Sequence, residues 1–239
     1  MLLAIAAFYG FTGRAQQIAQ QVITPGDKLI RYDWIRSSHD YYKNVTTDTS
    51  GKLMWEFMMD DVTIVDSVHQ QILFARSRQV PVGNFFADTS VTDLVLKPLW
   101  MHENHEQRHV LFEMSFADTV ASVKTVRGGV VSVKDYPMKR GYFEDNMIEY
   151  ILSYLDLKKG VRYVLDNFNK DTQQPSDPYE VESAFDDIWD VAPGYRVNCS
   201  VLHFTHGSTW GYIWIDKRTH QMLKKEGFFK KGTYVITKV

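Results

Sequence analysis

The sequence predicts a mainly β protein: a large curved antiparallel sheet or open barrel with one principal helix packed against it. Three observations lead there. Short runs of β-branched, aromatic or alternating residues recur along the chain between Gly, Asp and Pro turn signals. Only one segment beyond the N-terminus, Phe143 to Gly160, has a helical rhythm. The C-terminus closes in a regular meander, Trp210 to Ile215, His220 to Glu226 and Gly232 to Val239. With 239 residues, 44% of them hydrophobic and 14% aromatic, the chain can bury a substantial core.

Met1 to Phe11 is apolar except for Tyr9 and Gly10, and Gly13 and Ala15 form a small-x-small site before Gln16. This pattern reads as a secretory signal over residues 1–15, cleaved after Ala15. No Lys or Arg precedes the run, so a basic lead would have to lie upstream; a buried N-terminal strand or helix is the alternative. The remaining residues, 16–239, are expected to form one β-rich domain, arranged as two lobes, 16–142 and 161–239, joined by a helix over 145–159.

Lys28 to Trp34 alternates in polarity, as a half-buried strand does. Lys52 to Met59 and Val62 to Asp66 are strand candidates separated by Asp60-Asp61. Val68 to Val80 reads as a further strand, and Pro98 gives the run Val91 to Met101 an edge or bulge character. Val110 to Phe116 and Thr119 to Val126 pair around Ala117-Asp118, and Gly128-Gly129 turns the chain into Val130 to Val133. In the helical segment Met147, Ile148, Ile151, Leu152 and Leu155 make one apolar stripe. Asp145 or Asn146 is the expected cap, Glu149 completes a capping box with Asn146, and Gly160 is the expected stop. Asn169 to Pro178 reads as a linker, and Asp186 to Gly194 as a bend.

The net charge of −2 supplies no concentrated positive field, so no nucleic-acid partner is expected, and membrane contact is peripheral at most. Cys199 stands alone, which excludes an internal disulfide, and its alternating surroundings mark it as a structural thiol. Phosphate-binding glycine loops, a dinucleotide turn and a hydrolase elbow are missing from the sequence, and no cofactor is expected. His102, His105 and His109 have helical spacing and would form a zinc site if the segment were a helix, giving a metal-dependent hydrolase. A polar hairpin loop is the competing reading. His203 and His206 fall on opposite faces of a strand. Trp210, Tyr212 and Trp214 share a strand face and, with Met147, Ile151 and Leu155 on the helix, are the best candidates to wall a site for a lipid or other hydrophobic small molecule. Exposed aromatic residues would alternatively suit a carbohydrate-binding module.

Trp214-Ile215-Asp216, followed by Leu223, Lys224 and Glu226, resembles the strand-turn-strand of exported bacterial β proteins of unknown function. It is also similar to the lipoprotein-localisation (LolA/LolB-like) half-barrels. The segment Asp145 to Gly160 looks like the mid-chain helix of the unknown-function families. The resemblance covers about a third of the chain. It implies an open, curved sheet plugged by helices in the periplasm or at the outer membrane, and carries no catalytic residues. The expected function is therefore that of an exported, non-enzymatic envelope protein.

Overall fold

The computed structural model describes residues 19–80, 84–138, 141–169, 174–175, 177–192 and 194–239. The expected secretory signal, residues 1–15, lies outside the described residues. Nine strands lead to the helix: β1 (Ala19–Ile23), β2 (Ser38–Asp48), β3 (Leu53–Asp66), β4 (Gln71–Val80), β5 (Asn84–Asp93), β6 (Pro98–His105), β7 (Val110–Phe116), β8 (Val120–Arg127) and β9 (Val130–Pro137). A two-residue strand, β10 (Phe143–Glu144), precedes α1 (Ile148–Leu152). Beyond it come β11 (Val161–Leu165), β12 (Asn167–Asn169), β13 (Gln174–Pro175), β14 (Tyr179–Ala192), β15 (Tyr195–His206), β16 (Thr209–Asp216), β17 (Met222–Phe229) and β18 (Gly232–Lys238).

Fifteen of these strands form a single sheet in the order β1-β11-β14-β15-β16-β17-β18-β2-β3-β4-β5-β6-β7-β8-β9. Among the described residues, the parallel pairing in this sheet is that of β1 with β11, and every other neighbouring pair in it is antiparallel. The pairing of β18 with β2, from Gly232 opposite Asp48 to Lys238 opposite Tyr42, joins the C-terminal meander to the N-terminal hairpins. Both arms of the chain thus build one mainly β sheet, which among the described residues stays open, with β1 and β9 as its edges. A small second sheet, β10-β12-β13, lies beside the helix segment.

The inner face carries the main core. Met147, Ile148, Ile151 and Leu152 are fully buried and belong to a cluster with Phe74, Tyr163, Phe204, Ile213, Ile215 and Ile236. The helix is much shorter than its stripe predicts, because strand-like pairing captures the chain. After Leu152 the turn tightens, with Tyr154 N–H donating to Ile151 C=O at 2.8 Å. Arg31 N–H then donates to Tyr154 C=O at 2.8 Å, and Leu155 bridges to Ile30. Leu155 still reaches the core, but through this bridge and not as a helical residue. Gly160 has φ +77° as a turn residue before β11 and does not stop the helix. The side-chain cap belongs to the 3-10 turn Asp145–Met147 that leads into α1, where Glu144 accepts from Asn146 N–H at 3.0 Å; α1 itself starts from Met147 without one.

Four further expectations are corrected. Lys52 to Met59 and Val62 to Asp66 are one strand, β3, because Asp60 and Asp61 sit in the ladder with Tyr41 and Asp40. The polar stretch expected to be a hairpin loop is strand up to His105. Asp186 to Ala192 is likewise strand, paired with β15, and not a bend. Lys28 to Trp34 forms turns instead of a strand.

A buried charge row and an open trough

Strand register places side chains from seven neighbouring strands in one row of the inner face: Asp61, Arg76, Asp88, Glu103, Phe112, Thr125 and Ser132. Its first four members are charged and buried. Such groups survive away from water only when paired. Arg76 donates from Nε and Nη2 to the two Asp61 oxygens at 2.8 and 2.7 Å, a bidentate arrangement. Its Nη1 reaches Glu149 Oε2 at 2.6 Å, and Lys225 Nζ from β17 bonds the other Glu149 oxygen. Two cations thereby meet two carboxylates, and the cluster is neutral overall. Arg76 also lies over the Tyr150 ring at 5.1 Å, and Lys225 lies 4.8 Å from the Phe204 ring centre.

Burial alone would push the Glu149 carboxyl up. The Lys225 and Arg76 cations outweigh it and hold the group well below the usual carboxylate range. For Lys225 burial disfavours the charge, whereas Glu149 holds it, leaving the ammonium raised above its ordinary value. The Tyr154 phenol nearby is pushed up to about 12, chiefly by burial.

Polar contacts continue toward the helix entry. Asn146 Nδ2 donates to Glu103 Oε2 at 3.1 Å, Ser90 Oγ donates to Glu144 Oε2 at 2.6 Å, and His105 Nε2 contacts Glu103. Asp145 accepts from Asn167 and Asn169 at 2.6 and 2.7 Å, which ties the small sheet to the helix start. Every one of these groups is committed to a structural partner. Chemically the cluster is an ionic lock on α1. The cavity beside it, bounded by Tyr42, Asp61, Arg76, Glu149 and Tyr154, holds about 40 Å³. That is room for a water or two and far too little for an acyl chain.

Past Glu103 the same row becomes apolar and neutral, and the covering helix ends. There the inner face of β7, β8 and β9 forms an open trough of about 770 Å³. Val110, Phe112 and Val130 supply apolar wall, Thr125 and Ser132 hydroxyls, and Arg108 and Arg127 two cations. Sequence reasoning did not select these residues. Their signal is the alternation Val110-Phe112 and Thr125-Arg127 on adjacent strands, which becomes a surface only when the register is known.

The six residues expected to wall one site divide between the two faces of the sheet. Met147 and Ile151 are fully buried and Leu155 nearly so, in the inner core. Trp210, Tyr212 and Trp214 point outward, where Trp214 and Tyr212 pack with Val197, Cys199, Val201, Leu223 and Trp189. Trp214 Nε1 donates to Asp187 Oδ2 at 2.8 Å, and Lys224 Nζ lies 4.3 Å from the Trp214 ring centre. Trp210 stacks on Phe228 at 4.4 Å, but its ring is tilted 82° to Tyr212, so the row is not a flat platform. The three histidines do not converge. His102 lies on the outer face 5.8 Å from Trp100, His105 on the inner face against Phe86 at 4.2 Å, and His109 in a turn with φ +48°. Among the described residues no group of three or more His, Cys, Asp or Glu side chains is placed to hold a metal ion. His203 and His206 do take opposite faces, against Tyr212 and Tyr179 respectively.

Comparison with known proteins agrees with this architecture. A beta-barrel-like protein of domain of unknown function DUF1849 from Brucella abortus matches with a TM-score of 0.54 at 12% sequence identity, covering 84% of this chain and 95% of that one. At that identity the likeness is one of fold alone. No curated protein matches the sequence. The profile of DUF3108, described as a protein of unknown function, matches residues 41–238, and the chain belongs to that family.

Proposed function

We propose that this protein is a non-enzymatic binding protein of the cell envelope, and that it holds an amphiphile, an apolar chain with a negatively charged head, in the trough of β7, β8 and β9. The observation that carries this reading is the trough. Its volume of about 770 Å³ falls within the roughly 300–1,000 Å³ common for ligand sites. Val110, Phe112 and Val130 offer apolar contact, while Arg108 and Arg127 offer the head two cations. Beside α1, by contrast, the cavity bounded by Tyr42, Arg76 and Glu149 holds only about 40 Å³. The resemblance to lipoprotein-localisation half-barrels and the secretory pattern of residues 1–15 support an envelope location.

The test is titration of delipidated protein with a fluorescent fatty acid and, separately, with the corresponding neutral fatty alcohol. Saturable binding of the acid is expected, with the alcohol weaker. The double variant Arg108→Glu/Arg127→Glu should weaken acid binding by about tenfold or more, equivalent to about 1.4 kcal/mol. Absence of saturable binding, or an unchanged affinity in the double variant, overturns the reading.

A further inference from the structure

The edge strand β9 differs from the rest of the sheet in being almost wholly exposed, with seven of its eight residues in that class and only Tyr136 partly covered. Val130, Val131 and Val133 are 71%, 57% and 64% exposed, so both faces of this edge are apolar at the surface. One side of its backbone pairs with β8. Among the described residues the other side carries no paired strand, and the backbone donors and acceptors of such a margin are available to a further strand. Sheet edges are usually shielded by short length, charge or irregularity. β9 is eight residues long, and Lys134 and Asp135 are its only charges.

We propose that β9 is a self-association surface, pairing antiparallel with β9 of a second copy of this chain. Symmetry restricts the register. Two antiparallel strands joined edge to edge by a two-fold axis keep their inner faces on the same side, so one residue must oppose its own copy. Centring on Lys134 or Asp135 would set like charges against each other, which is destabilising. Centring on Val133 sets Val131 opposite Asp135, Ser132 opposite Lys134 and Val130 opposite Tyr136, with no like charges opposed. This register pairs seven residues, Val130 to Tyr136. The equivalent arrangement centred on Ser132 pairs only five. The longest register without like-charge opposition is therefore the one that joins Val133 to Val133.

The pairing rests on the edge alone. Its consequence for the trough rests on the proposed function: Val130 and Ser132 line that trough, and the second copy would add its Lys134 and Tyr136 beside them on the inner face.

Sedimentation velocity over a range of protein concentrations reads the association, while fatty-acid titration reads the trough, so the two ideas fail separately. A concentration-dependent dimer is expected. Val133→Asp should raise its dissociation constant by about tenfold or more without loss of fold, since the side chain is exposed; circular dichroism checks the fold. Mixing Val133→Asp with Val133→Lys protein should restore a heterodimer, and Val133→Cys should crosslink through a disulfide on mild oxidation, Cys199 being buried. A wild-type chain that remains monomeric throughout, or a dimer indifferent to Val133→Asp, overturns the proposal.

Discussion

Replacing Lys225 by methionine asks how much of the hold on α1 is ionic. The Lys225 side chain is 3% exposed and its ammonium bonds Glu149, whose own side chain is 19% exposed. Removing the ammonium leaves Glu149 with Arg76 alone, and Arg76 already serves Asp61. Breaking one partner of a buried pair costs roughly 3–5 kcal/mol. The residual solvent contact of Glu149 puts the expectation at the lower end, about 3 kcal/mol, which for a domain of this size lowers Tm by roughly 6–12 °C. The variant Glu149→Met/Lys225→Met removes both members and leaves Arg76 with Asp61, so most of the loss should be recovered. Urea unfolding followed by tryptophan fluorescence measures both. The sign of the pH dependence follows from Glu149, whose carboxyl is held below its ordinary value of 4.5 in the folded state. Its contribution is therefore complete above about pH 5, where the unfolded group is also ionised, and is lost as the pH falls below that value. Wild-type stability should drop more steeply in this acid range than that of the double variant. A Lys225→Met protein within about 1 kcal/mol of wild type, or a double variant no more stable than the single one, would refute the ionic lock.

Two other outcomes follow from close packing. In Gly227→Ala the added Cβ would lie 2.1 Å from the Tyr234 ring, which rests across this glycine next to Lys225. Overpacking of this kind costs typically about 1–3 kcal/mol, and a variant of unchanged stability in urea would show that the ring has room to shift. Cys199 is fully buried and burial pushes its thiol up to about 11, so a thiol reagent at about pH 8 should label it only after unfolding. Rapid stoichiometric labelling of the native protein would contradict that placement.

The β class was legible because most strands keep a polar face or a turn signal at each end. What was lost is the strand interior wherever the inner face is charged. Asp61 read as a break between two strands because a charge in the middle of an apolar run resembles a loop, yet Arg76 on the next strand neutralises it. Glu103 and His105 hid β6 for the same reason. No local pattern announces such a pair, since its members are separated by a hairpin. The helix was legible as an apolar stripe, and that stripe is indeed buried; its length was not, because the bridge of Leu155 to Ile30 is a contact between residues more than a hundred positions apart. The outward aspect of Trp210, Tyr212 and Trp214 could not be read because β16 is apolar on both faces, with Ile213 and Ile215 on the other.

A plug one and a half turns long is poorly oriented by packing alone. Met147, Ile148, Ile151 and Leu152 are all fully buried, and an apolar surface spread round a helix tolerates several rotations at similar cost. Polar groups discriminate between them. Only one rotation brings Glu149 to both Arg76 and Lys225 while Asn146 reaches Glu103. On this argument the charges contribute uniqueness of the plug's seat more than net stability, as buried polar groups do in some other systems. The double variant Glu149→Met/Lys225→Met separates the two roles. It should unfold cooperatively near the wild-type midpoint, while the amide resonances of α1 and of the facing strands β4 and β17 broaden or multiply. A single sharp, well-dispersed set of resonances for those elements would mean that packing alone orients the helix, and the charge row would then have to be explained by something other than the seating of α1.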